Sequence, residues 1–213
     1  MKNSARFAVA VGLALALCGP VLAQKQAKAA ENIAKGMIKF QGNLTSAKTQ
    51  VDTVLKSLQD LTTASSPDVM KKYEVFVKEV KNTTDLKQDV QARAKEVNAD
   101  RDKFVKAWSD DQKDIQNEDL RKAAESRQAE LSPIVDRLKT AMSGAGETSA
   151  PFLQNMNDLV LFLGNDLSPA AMTAAAPLIG KCNDGGTKLQ GDLDAGIAAV
   201  GELVTFFQPQ GVK

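Results

Sequence analysis

An all-α fold is what this sequence predicts: an elongated antiparallel four-helix bundle, or paired long helical hairpins with coiled-coil-like packing. The first observation is a stripe of Ile33, Met37, Phe40, Leu44, Ala47, Val51, Val54, Leu58 and Leu61, whose spacings alternate strictly between 4 and 3. An α-helix turns once per about 3.6 residues, so this spacing lays the stripe along one seam that other helices must cover. Three further stripes of similar length follow, separated by capping and proline signals. No segment alternates at period two for long enough to make a convincing strand.

The first helix is expected over 24–64, ending near Ala64-Ser65-Ser66-Pro67-Asp68, where serines can cap and proline suits a new first turn. Helix two, 67–115, carries Val69, Tyr73, Phe76 and Val80, then resumes at Leu86, Val90, Ala94, Val97, Phe104, Trp108 and Ile115. The shift near Thr83 and Thr84 reads as a stutter, a phase slip that lets a long helix change its twist about its neighbours. Around Gln116-Asn117-Glu118-Asp119 the apolar pattern pauses, and Asn117 or Asp119 can cap helix three, 119–164. Its stripe runs through Leu120, Ala124, Leu131, Ile134, Leu138, Ala141, Ala145, Phe152, Met156, Leu159 and Leu163. Pro133 and Pro151 each remove a backbone donor and predict kinks.

Ser168-Pro169 gives the clearest boundary, a good cap followed by proline at the tolerated first helical position, and opens helix four, 169–207. Met172, Ile179, Leu189, Leu193, Ile197, Val200, Val204 and Phe207 share a face there. Pro177 and Asn183-Asp184-Gly185-Gly186 oppose a regular helix. Because the apolar phase carries across them, a weakened continuous helix is favoured over a break. Residues 208–213 are expected to fray, leaving 24–207 as a single helical domain.

The amino terminus reads as an export signal over 1–23: Lys2 and Arg6, an apolar run from Phe7 to Leu17, and small residues ending at Ala23 for cleavage. Lipoprotein processing at Cys18 is disfavoured, because Leu17 is large where a small residue is wanted. The apolar run is also shorter than the roughly 20 residues a bilayer crossing needs. Cleavage would leave a periplasmic chain with Cys182 as its only cysteine. Such a thiol is a candidate for intermolecular pairing, although a lone cysteine is more often a small buried apolar residue. The cleaved chain has a formal charge of −1, with +3 over 24–115 and −4 over 116–213. That balance gives no footprint for nucleic acid.

Chemistry is sparse. There is no histidine, which removes the commonest metal ligand and general base, and no carboxylate–histidine pair of the di-iron kind. Asn98-Ala99-Asp100-Arg101-Asp102 opens like a calcium loop but lacks its glycine, and Ser109 stands where the closing glutamate belongs. Asp110, Asp111, Asp114, Glu118 and Asp119 gather near the turn between helices two and three and would attract a cation weakly. Ser126, Arg127 and Asp136 have no base to complete a site. No catalytic residue, cofactor or metal is therefore expected. Trp108 sits on the helix-two seam and is a candidate interaction anchor, though packing explains it better. Leu159-Val160-Leu161-Phe162-Leu163 covers more than one helical face, which makes Leu159, Leu161 and Phe162 further candidates for contact.

From Phe104 to Phe207 the chain resembles a family of uncharacterised exported bacterial helical proteins catalogued as a domain of unknown function. The resemblance rests on Phe104-Val105-Lys106-Ala107-Trp108, on Ile115 through Arg121, on Ser126-Arg127, and above all on Asp158 through Leu163 followed by Asn165-Asp166-Leu167. Gly164 and Pro169 depart from the helix-continuing residues expected there. The resemblance implies an exported, elongated helical protein and transfers no catalytic or ligand residues. The resulting expectation is a non-enzymatic periplasmic protein acting through protein–protein contacts, as a scaffold or envelope-associated protein, with an unknown protein partner or a second copy of itself. A periplasmic chaperone or carrier for apolar clients is the alternative. A membrane-interacting or pore-forming helical protein is the third reading, with membrane contact not favoured.

Overall fold

The computed structural model describes residues 20–65 and 67–208, with side chains from Ala27 onward. The expected signal segment up to residue 19, including Cys18, and the tail from 209 lie outside the described residues. Five helices follow in order: α1 Pro20–Thr62, α2 Val69–Gln112, α3 Glu118–Ala129, α4 Leu131–Asn165 and α5 Pro169–Phe207. Among the described residues there is no strand.

Cross-helix bonds fix the topology. Gln41 reaches the Ile197 carbonyl, Lys48 pairs with Asp194, and Asp52 accepts from Gln190, so α1 and α5 run antiparallel. Gln50 to Glu79 and Lys72 to Asp60 set α1 against α2 in the same sense. Arg137 with Glu202 and Thr148 with Asp192 do so for α4 and α5, and Tyr73 with Val160 for α2 and α4. The chain therefore closes as an up-down-up-down ring in which α3 and α4 together form the third rod. Contact between α2 and α4 is the least extensive of the four seams.

The α1 stripe is core. Met37, Leu44, Val54 and Leu61 are fully buried, and Phe40, Val51 and Leu58 nearly so. It meets Phe152, Met156, Leu159 and Leu163 of α4 and Val200 and Leu203 of α5 in one continuous cluster.

Several boundaries moved. Helix one is described from Pro20 and ends at Thr62 rather than 64, and helix two spans Val69–Gln112 rather than 67–115. Asp68, not a serine, precedes α2, and its carbonyl accepts the Lys72 amide. The expected third helix is interrupted at Glu130. Pro133 has no amide hydrogen to give the Ala129 carbonyl, and the break falls beside that orphan acceptor. Pro151, where a kink is expected, lies inside a continuous α4. Asn117 caps α3 by accepting the Leu120 amide at 3.0 Å, and Ser168 caps α5 by accepting the Ala171 amide at 3.2 Å. α5 stays helical through Pro177 and through Asn183 to Gly186.

Those glycines serve close approach rather than a turn. A Cβ on Gly186 would stand 2.6 Å from Leu55 Cδ1, and one on Gly185 would touch Phe152. Gly164 has a comparable reason: a Cβ there would lie 2.6 Å from the Tyr73 hydroxyl, which donates to the Val160 carbonyl at 2.9 Å.

The stutter in helix two is absent. Phe76, Thr83, Val90 and Val97 are all buried and seven residues apart, so the seam keeps phase. Thr83 occupies a seam position, and the companion row Tyr73, Val80, Lys87, Ala94, Arg101 and Trp108 puts lysine and arginine where apolar residues are expected. With polar residues at these seam positions, the apolar residues alone trace a stripe that slips to Leu86. Beside them the bundle holds an apolar cavity of ≈ 110 Å³, walled by α1, α2, α4 and α5.

Candidate functional site

The antiparallel topology brings two apolar groups to opposite ends of the bundle. At the end formed by the α1–α2 and α4–α5 links, Tyr73 ties the first turns of α2 to the last turns of α4 through its bond to Val160. Around that tie Leu161 is 69 % exposed, Met70 56 % and Phe162 45 %. Exposed single apolar residues are ordinary, but Leu161 and Phe162 are consecutive exposed residues in the last turns of α4, and Met70 lies in the first turn of α2, three residues before Tyr73. Leu159, the third candidate of this run, is fully buried together with Leu163. The helix presents Leu159 to the core and Leu161 to solvent because residues two apart lie on nearly opposite faces.

At the other end Phe104, Trp108, Phe206 and Phe207 form an aromatic cluster. Phe104 and Phe207 meet edge to face at 5.4 Å, Phe206 and Phe207 at 5.2 Å, and Trp108 lies 5.8 Å from Phe104. Trp108 is half-buried; it packs on Phe104 and lies 6.2 Å from Phe206 at the rim of the core. Phe206 carries the Arg127 guanidinium 3.9 Å above its ring, a cation–π contact, while Arg127 also donates to the Phe206 carbonyl. This Arg127 anchor, which ties α3 to the end of α5, was not legible from spacing because its partner lies 79 residues away.

The polar candidates do not converge. Among the described residues no three His, Cys, Asp or Glu side chains are placed to hold a metal ion. In the acidic group near α3, Asp110 pairs with Lys113 at 2.7 Å and Glu118 with Lys122 at 2.7 Å. The Lys113 ammonium holds the Asp110 carboxyl below its usual range, and Asp110 in turn raises Lys113. In the calcium-loop look-alike, Arg101 bonds to both Asn98 and Asp102 and thereby occupies their oxygens with a cation already in the chain. Arg127 turns to Glu130 and Phe206, and Asp136 faces Lys139. Ser126, Arg127 and Asp136 therefore form no common centre. Glu79 is held below the ordinary carboxylate value first by the Gln50 amide and also by Asn82, which makes it a bridge between α1 and α2.

Cys182 is fully buried. Burial, and secondarily the Asp158 carboxylate, push its thiol up to about 11. A protonated, enclosed thiol is a poor nucleophile and a poor partner for another chain, so the intermolecular pairing considered for it is not offered by this fold.

Residues 28–205 match the family model described as "Protein of unknown function (DUF2959)". The chain belongs to this family. The match spans all five helices and so extends through the amino-terminal half, beyond the Phe104–Phe207 stretch that carried the sequence resemblance. No curated protein and no solved structure matches the chain. Among the described residues no helix is long and apolar enough to cross a membrane.

Proposed function

We propose that this DUF2959 member is an exported, non-enzymatic periplasmic protein that acts through protein–protein contacts, as a scaffold or envelope-associated interaction protein. The observation that carries the reading is the exposure of Met70, Leu161 and Phe162 on the two helix ends that the Tyr73–Val160 bond joins. Burying about three large apolar side chains in a partner supplies several kcal/mol, enough to anchor a contact that polar neighbours then orient. Export is supported by Lys2, Arg6 and the Phe7–Leu17 run ahead of Ala23.

The test places a photo-crosslinking residue at position 161 in intact cells, with position 139 as an exposed polar control. Discrete crosslinked species from 161 that vanish in the Met70→Glu/Phe162→Glu background support the reading. Equal labelling from 161 and 139, or none from either, contradicts it.

A further inference from the structure

We propose that the ≈ 110 Å³ cavity between α2 and α4 is a binding site for a small carboxylate-bearing amphiphile, whose apolar segment fills the cavity while its carboxylate meets Lys87. The floor is apolar and buried: Val51 from α1, Val90 from α2, Phe152 and Leu153 from α4, Leu189 and Leu193 from α5. It lies on the seam where α2 and α4 touch least. The opening is therefore set by the helix arrangement, not by one truncated side chain. Its size is somewhat below the roughly 150 Å³ apolar cavity that accepts benzene, which fits a ring or an aliphatic segment of about five or six carbons.

Lys87 decides the class of head group. It stands at a heptad seam position, half-buried in the cavity wall, and makes no hydrogen bond or ion pair among the described residues. The other cation of the same row, Arg101, is satisfied by Asn98 and Asp102. Polar atoms nearer the floor are also occupied: Ser149 donates to the Gly146 carbonyl, and Thr83 to the Glu79 carbonyl. One turn after Lys87, the exposed Gln91 also borders the cavity and carries an amide that can serve as a second donor. A lysine without a protein partner in the wall of an apolar opening matches an anion on a short apolar stem. A lysine covering a packing gap with its methylene stem, and binding nothing, is the competing account.

The two separate in titration calorimetry of the full chain with sodium hexanoate, and with 1-hexanol as a neutral control. Methyl NMR shifts locate any binding. The expected result is saturable one-to-one binding of hexanoate with shifts at Val51, Val90, Leu153 and Leu189. Lys87→Gln should weaken hexanoate about tenfold and leave 1-hexanol within about twofold, since one charge-assisted contact is lost. Gly146→Leu borders the same opening, where an added Cβ meets nothing within 4 Å. It should abolish binding of both probes while thermal unfolding stays cooperative. No hexanoate binding at millimolar concentration, shifts confined to other residues, or equal affinity in the wild type and the Lys87→Gln variant would overturn the proposal.

Discussion

Gly186 and Gly191 stand five residues apart in α5 and predict opposite outcomes. A Cβ on Gly186 would press on three atoms of Leu55 at 2.6–3.2 Å, whereas one on Gly191 meets nothing within 4 Å. Gly186→Ala should therefore destabilise by about 1–2 kcal/mol as Leu55 is forced aside, despite the better helix propensity of alanine. Gly191→Ala should stabilise by about 0.5–1 kcal/mol. Urea denaturation with circular dichroism reads both. Cys182 gives a pH-dependent case. Its thiol is raised in the folded state, so the unfolded chain ionises first. Its contribution to stability is present in full below the ordinary thiol value and is lost as pH climbs from about 9.0 toward about 11. Native protein should accordingly resist thiol reagents at pH 8 and react only after unfolding. Rapid stoichiometric labelling of the native protein would contradict the burial. A neighbour such as Leu55 for Gly186 cannot be read from the sequence, because the pairing depends on how two distant helices register.

At the scale of elements, most of the fold was legible where apolar residues hold strict spacing. The α1 stripe from Ile33 to Leu61 is buried along nearly its whole length, and the Ser168-Pro169 signal opens α5 where a capping serine and an N-terminal proline belong. α2 was harder to read because Thr83 and Lys87 occupy its seam. A lysine in a seam costs stability, so Lys87→Leu should raise the unfolding free energy by about 1–2 kcal/mol by covering apolar cavity wall. A fall in stability would show that the lysine is better accommodated than its lack of a partner implies. Phe152, nearly fully buried between α4 and α5, should cost about 3–5 kcal/mol as Phe152→Ala. The break at Glu130 depended on one orphaned carbonyl among continuous helical signals, and Pro151 and Pro177 show that a proline alone does not end a helix held by tertiary packing.

For the whole molecule, periodicity established that four seams needed cover but was silent on whether they close within one chain. Long-range bonds close them: Lys48 to Asp194, Gln50 to Glu79, Thr148 to Asp192 and Tyr73 to Val160 join every neighbouring pair of rods. The candidate contacts were legible only as an excess of apolar residues in Leu159–Leu163; which of them face outward followed from how α4 lies against the ring. Helices of 43 and 44 residues are about 65 Å long at 1.5 Å per residue, so a closed ring of four rods is elongated. Small-angle X-ray scattering with absolute mass tests that closure most directly. A single 22.7 kDa chain is expected to give a rod with a largest dimension of about 70 Å. A compact, isometric monomer, or scattering that fits a rod only when two chains pair, would contradict it.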